Sequence, residues 1–355
     1  MQTPYFTCTP GIVKKNFIDF KLSAEKYLGD VVIAYSVKTN SVRAIIETLS
    51  GLGSSFDIAS INELNLVARK KCLKIFNGPA KTKAVLRKAL NTDCFIVVDS
   101  LSELEKIIEL QAGKKTKILV RVALQESKFG VDETQLVRFI SHAHANNISV
   151  IGLHFHSGTQ LSLSEFEKTI TRIYQFLKEF FKTYPHLHFH YLDLGGGFAD
   201  PHQLKNMGAT LIDYFEIIRD SFADLRDRYD CFILEPGRAI VSDACCLITS
   251  VVALKENFDR TYAILDAGIN VLPKIALSQF IFSKYKSNKK SSINNLKKKE
   301  YMLAGPLLFG NDIVGRFIGE LHEGDILIVD NVGAYCYNLA WEISFKKPRV
   351  IFEKK

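Results

Sequence analysis

Six polar residues of this 355-residue chain stand where short β-branched runs end or pass: Lys38, Asp57, Arg121, His156, Glu235 and Arg238. Lys38 follows the first such run in AYSVKTN, and a lysine near other cations or partly desolvated loses its proton and adds to an aldehyde as a Schiff base. Gly195, Gly196 and Gly197 of LDLGGGFAD leave backbone N–H groups uncovered by side chains. Together with the guanidinium fork of Arg238 they would make a phosphate site. Glu235 of EPGR lies three residues before Arg238. A carboxylate so placed either pairs with Arg238 or keeps a pyridine nitrogen protonated, so that the ring acts as an electron sink. His156 of HFHSGTQ can lie against a flat ring or serve as a hydrogen-bonded core residue, and His154 shares its face of the strand.

These residues need a scaffold whose strand ends converge. Strands are expected at 31–36, 54–59, 74–78, 94–99, 117–123, 150–156, 191–197 and 231–237. Stretches with apolar spacing near 3.6, such as SVRAIIETLSGL, INELNLVARK and SEFEKTITRIYQFLKEFFK, fill the gaps between them. Eight such βα units close a (β/α)8 TIM-type barrel, and in that barrel reactive groups collect at the C-terminal strand ends. Beyond about residue 245 strands follow one another without long helices, in CLITSVVAL, TYAILDA, YMLAGP, DILIVD and RVIFE, which predicts a separate all-β domain. The expected division is a barrel over 22–245, with 1–21 and 246–355 forming the β domain.

A hydrophobic content of 47% suits a compact, enzyme-sized fold. The net charge of +8 comes largely from the lysines of SKYKSNKKSSINNLKKKE, residues 283–300. That stretch lacks interleaved aromatics and reads as a solvated loop, so nucleic acid is rejected as the main partner. Seven scattered cysteines show no CxxC or metal spacing and fit a reduced cytoplasmic setting. No segment has the apolar length of a membrane span and the N-terminus has no leader pattern, so an unexported protein is expected.

Taken in order, AYSVKTN, SSFDIAS with NEL, VVDSLSELE, SKFG, HFHSGTQ, LDLGGGF, EPGR, DAGIN, GPLL…D and GAY resemble the fold-type III, pyridoxal-phosphate-dependent decarboxylases of ornithine, lysine, arginine and diaminopimelate. The likeness runs from TPYF at residue 3 to beyond GAY, and these enzymes share the alanine racemase-like barrel. It implies pyridoxal 5'-phosphate as cofactor, carried by Lys38, with His156 stacked on the ring and Thr159 nearby. Gly195, Gly196, Gly197, Gly237, Arg238 and Tyr335 would hold the phosphate, and Glu235 would meet the ring nitrogen. Asp57, Glu63 and Arg121 match supporting positions. It also implies that the first residues return to the β domain, and that two subunits share active sites in a homodimer.

Two departures bear on chemistry. Leu308 of GPLLFGND replaces the family cysteine that protonates the carbanion, and Cys336 is the nearest substitute in sequence terms. DAGINVLPKIALSQF lacks the arginine run that holds a distal carboxylate and offers Lys274, Ile275 and Ser278 instead; Lys274 and Asp312 are the candidate substrate contacts. The resulting reading is decarboxylation of a small-molecule amino acid, free or carrier-tethered. Racemisation and a noncatalytic, partner-binding homologue are the alternatives.

Overall fold

The computed structural model describes residues 2–111, 113, 115–156, 158, 162–274, 279–285 and 299–352. Its strands are β1 (Tyr5–Cys8), β2 (Val31–Ser36), β3 (Ser55–Ile58), β4 (Lys74–Phe76), β5 (Phe95–Val98), β6 (Thr116–Ala123), β7 (Val131–Asp132), β8 (Ile148–His154), β9 (Phe189–Asp193), β10 (Tyr229–Leu234), β11 (Cys245–Asn257), β12 (Arg260–Leu265), β13 (Ile281–Lys284), β14 (Lys299–Ala304), β15 (Ile313–Gly319), β16 (Ile326–Asp330) and β17 (Val350–Phe352). The chain divides into two compact units, Lys14–Ala199 with Gln203–Ile240, and Met1–Val13, Asp200–His202 and Val241–Lys355.

The first unit is a closed barrel of eight parallel strands. Hydrogen bonding runs β2-β3-β4-β5-β6-β8-β9-β10 and returns to β2. Each of the eight expected strands is present, with ends shifted by a few residues. Ala34, Ile75, Val97, Leu119, Ile151 and Ile233, from six different strands, pack together as one buried cluster. Such layers fill a barrel interior, so the site must lie at its mouth.

The helical stretches expected between strands form, among them Arg43–Gly51, Ile61–Val67 and Leu163–Thr183. Polar caps fix several of their starts. Ser60, Thr82 and Ser100 accept from the backbone N–H three residues on, and Ser162 with Glu165 forms a capping box. Each cap contributes about 1 kcal/mol. An additional helix spans Pro10–Leu28. Phe17, Phe20, Ala24 and Leu28, three or four residues apart, are its buried stripe. It carries the chain across residue 21, where sequence reasoning put the domain boundary.

The second unit is a mixed sheet. Its order is β13-β16-β11-β12-β14-β15, with β1 paired to β11 and β17. All pairs are antiparallel except β12–β14 and β1–β17. The first residues thus join the C-terminal sheet, as the resemblance implies. Val251, Ala263, Leu265, Tyr301, Leu303, Leu321 and Leu327 form its core. Among the described residues no helix is long and apolar enough to cross a membrane.

Gly152 shows how tightly the barrel strands approach. A Cβ there would lie 2.6 Å from the Tyr191 carbonyl oxygen of neighbouring β9. Gly152→Ala is expected to cost roughly 1–3 kcal/mol. Gly11→Ala, in open helix, should cost nothing or stabilise by up to about 1 kcal/mol. Urea unfolding of both variants checks the pair; equal midpoints would contradict the packing argument.

Candidate active site

Lys38 sits in the 3-10 turn Val37–Thr39 that directly follows β2, which brings its side chain to the barrel mouth. Its Nζ lies 3.2 Å from Asp57 Oδ2 in β3. The lysine is 38% exposed and the aspartate side chain 1%, so a reachable amine rests on a buried charge. The Ser36 hydroxyl donates to Asp57 Oδ2 (2.6 Å) and Asn77 Nδ2 donates to Asp57 Oδ1 (2.7 Å). Burial alone would push the Asp57 carboxyl up, yet Lys38, Ser36 and Asn77 outweigh it and hold the group below its ordinary range.

Glu235 follows β10, the strand paired with β2, and is buried. The same Asn77 Nδ2 donates to its Oε1 (2.7 Å), and His154 Nε2 is 3.6 Å away. Asp193 ends β9, and its Oδ1 accepts from Gly195 N–H (2.9 Å). Burial, then the charge of Glu235, pushes the Asp193 carboxyl well up.

The glycine loop joins these parts. Gly195 O accepts from Glu235 N–H (2.8 Å), and Gly196 N–H donates to His156 Nδ1 (3.3 Å). A Cβ on Gly195 would stand 2.6 Å from His156 Nδ1, and one on Gly196 2.7 Å from the Glu235 carbonyl oxygen. Gly195 and Gly197 also have φ of 67° and 99°, a region that favours glycine. Gly237 is packed against the Thr39 side chain, and Arg238 opens the short helix Arg238–Val241, 6% exposed.

Arg121 ends the cluster on the β6 side. Its Nη2 donates to His156 O (3.5 Å), its Nη1 is 3.9 Å from Asp99 Oδ1, and it stacks 4.3 Å from the Phe129 ring centre. Lys81 and Glu103 form a buried ion pair beneath (2.8 Å), with Lys81 also donating to Gly78 O and Val97 O. Glu63 caps the entry to the helix Ile61–Val67, accepting from Ala59 N–H at 2.6 Å.

A cavity of about 710 Å³ opens over this cluster, lined among others by Lys38, Asn77, Arg121, His156, Lys168 and Arg172. No carboxylate belongs to its described lining, so it suits an anionic occupant. Thr39 Oγ1, both His154 ring nitrogens and Asp193 Oδ2 are buried without a hydrogen-bond partner among the described residues. Buried polar atoms normally have partners. A cationic cavity, an accessible lysine and unsatisfied buried polar atoms together fit a phosphorylated, polar, aldehyde-bearing ring.

The pyridoxal-binding domain of the pyridoxal-dependent decarboxylases matches residues 14–242. The chain belongs to the pyridoxal-dependent decarboxylase family. The diaminopimelate decarboxylase of Aquifex aeolicus is 27% identical over 95% of this chain and 83% of that protein. That of Pseudomonas aeruginosa is 30% identical over 86% and 76%. The solved diaminopimelate decarboxylase of M. jannaschii in complex with L-lysine superposes with a TM-score of 0.87 at 25% identity, covering 99% of this chain and 87% of that one. This decarboxylase therefore uses pyridoxal phosphate to remove carbon dioxide from a small-molecule amino acid.

The structure brings Lys38, Asp57, Arg121, His156, Gly195, Gly196, Glu235 and Gly237 of the sequence-predicted set to one mouth, beside Gly197 and Arg238. Thr159, Ile275 and Ser278 lie outside the described residues. Tyr335, Asp312 and Lys274 belong to the β unit. Asp312 is 3% exposed, and its oxygens accept from the backbone of Ile269 (2.7 Å) and Leu307 (2.8 Å). It clamps two loops together rather than offering a free carboxylate. Cys336 is fully buried and desolvation pushes its thiol well up, which makes it a poor proton donor in place of Leu308. Asn77 and Asp193 escaped the sequence reading. Asn77 directly follows β4, and the rule that barrel chemistry gathers at C-terminal strand ends would have found it.

Desolvation, then the charge of Lys38, holds the His156 ring down at about 3 against an ordinary value of 6.5. The folded protein keeps the ring neutral where the unfolded chain takes up a proton, so stability falls as pH drops from about 6.5 toward 3. For the cofactor-free protein, Tm should fall across that window, and His156→Asn should flatten the fall. Identical pH slopes for the two proteins would contradict this account.

Proposed function

We propose that Lys38 is the amine to which the cofactor's aldehyde attaches, and that the substrate is an α-amino acid with a second negatively charged group, diaminopimelate being the nearest model. The observation that carries the first part is Lys38 reachable from the cavity yet 3.2 Å from the buried Asp57. When bound, the cofactor supplies a conjugated ring that draws off the electron pair left as carbon dioxide departs.

The protein's own groups divide the remaining work. Asp57 anchors the Lys38 ammonium at the strand end. Glu235, fixed by Asn77, would hold a proton at the ring nitrogen, and the neutral His156 ring would offer a flat face. The segment Gly195–Gly197, Gly237 and the Arg238 guanidinium would hold the phosphate. Arg121 is braced by Asp99 and Phe129 and closes the β6 side.

Two observations support an anionic distal group. The curated relatives named above are diaminopimelate decarboxylases. The cavity lining also adds Lys168 and Arg172, one helical turn apart, and Arg172 Nη1 donates to Gln125 Oε1 (2.9 Å) instead of meeting an acid. A distal amine with no carboxylate beside it would be repelled there. We further assign a homodimer, because Leu308, Phe309, Trp341, Ile343 and Phe345 leave an apolar surface exposed on the β unit. A reduced cytoplasmic setting suits the free cysteines.

Cofactor-loaded protein given meso-diaminopimelate, L-lysine or L-ornithine separately should release carbon dioxide and an amine product fastest from the diacid. Lys38→Ala should lower that rate by at least about 10³-fold. Preferential turnover of L-lysine or L-ornithine would overturn the substrate class, and full activity in Lys38→Ala would overturn the role of the lysine.

A further inference from the structure

Asn77 stands 5% exposed immediately after β4, and its single amide nitrogen has two acceptors at the same distance. They are Asp57 Oδ1 and Glu235 Oε1, each 2.7 Å away. Asp57 lies in β3, next to β4, whereas Glu235 ends β10, separated from β4 by β3 and β2. The contact therefore crosses the barrel mouth instead of following the sheet. An amide NH2 carries two hydrogens, one for each acceptor, and adds no charge. With the amide reversed, its oxygen would face two carboxyl groups, so electrostatics fixes the orientation.

Asp57 has other donors, Ser36 and Lys38. Around Glu235 the described side chains are Asn77, His154 at a longer approach, and the acid Asp193. A polar chain thus runs Lys38–Asp57–Asn77–Glu235–His154, all within the barrel unit. Asn77 is its one neutral link between two acids, and it also lines the cavity.

We propose that Asn77 is a positioning residue: by donating to Asp57 and Glu235 at once, it sets the placement of the carboxylate beside Lys38 relative to the one that meets the cofactor ring. This rests on the roles given above to Lys38 and Glu235. Removing the amide takes a hydrogen bond from each of two buried acids, and a hydrogen bond to a charged group is worth enough to change a rate about 10- to 100-fold. Asp57, having lost a donor that draws on its charge, then stabilises a positive charge at the Lys38 nitrogen more strongly.

The test compares Asn77→Ala and the isosteric Asn77→Asp with the parent protein. Thermal unfolding of the cofactor-free proteins, pH titration of the bound cofactor's absorbance, and kcat and KM with meso-diaminopimelate are measured. Both variants should remain folded and bind cofactor. The absorbance midpoint should move to higher pH, further for Asn77→Asp because it adds an acid, and kcat should fall about 10- to 100-fold with KM changed less than about threefold. An unchanged absorbance midpoint and kcat in either folded, cofactor-bound variant would overturn the proposal. Loss of folding in both would also overturn it, since Asn77 would then be a structural residue. A Lys38→Ala control separates the two levels: if it keeps the pH-dependent absorbance, the assignment of Lys38 has failed, whereas if it loses it and the Asn77 variants match the parent, only the present inference has.

Discussion

A buried, ionised carboxylate is the constraint around which the site is arranged. Asp57 has almost no contact with water, and an uncompensated charge in such a place would neutralise or unfold the protein. Three donors prevent this, drawn from the ends of two strands. Ser36 ends β2, Lys38 follows it, and Asn77 follows β4. The need to satisfy one acid thereby draws the reactive amine and the Asn77 bridge to a common point. Through Asn77 the same constraint reaches Glu235, and through Gly195 O and the Glu235 N–H it reaches the glycine loop.

Much of the barrel was legible because its signal is periodic. Runs such as VVIAYS and CFILEPG alternate with stretches whose apolar residues recur every three or four positions, and both patterns reflect burial that the closed sheet then imposes. The helix Pro10–Leu28 was not anticipated although Val13, Phe17, Phe20, Ala24 and Leu28 carry the same period. Its neighbour TPYF draws the eye to a strand, and β1 does occupy Tyr5–Cys8 before the helix begins. Strands β13 and β15 were missed for another reason. IFSK and IVGRFIG are mostly half-exposed edge elements, with no strong apolar alternation to announce them.

The site was legible where residue type and strand end coincide, as for Lys38, Glu235 and the glycine triplet. It was not legible where a residue acts by joining others. Asn77 is neutral and common in turns, and only the crossing of the barrel mouth gives it two acids to serve. Asp312 shows the other direction: a carboxylate in a recognisable motif invites a ligand, and each of its oxygens also accepts from a backbone amide, of Ile269 and of Leu307. Leu308 remains the substitution that distinguishes this chain from its family pattern, and the buried Cys336 thiol does not replace what it removes.

The most direct test of the account is to reduce the cofactor-loaded protein with borohydride, digest it, and map the added mass. The account predicts one modified residue, Lys38, because its amine is reachable from the cavity while the nearby Lys81 is buried and committed to Glu103, Gly78 and Val97. Cofactor mass on any other lysine, with Lys38 recovered unmodified, would contradict it.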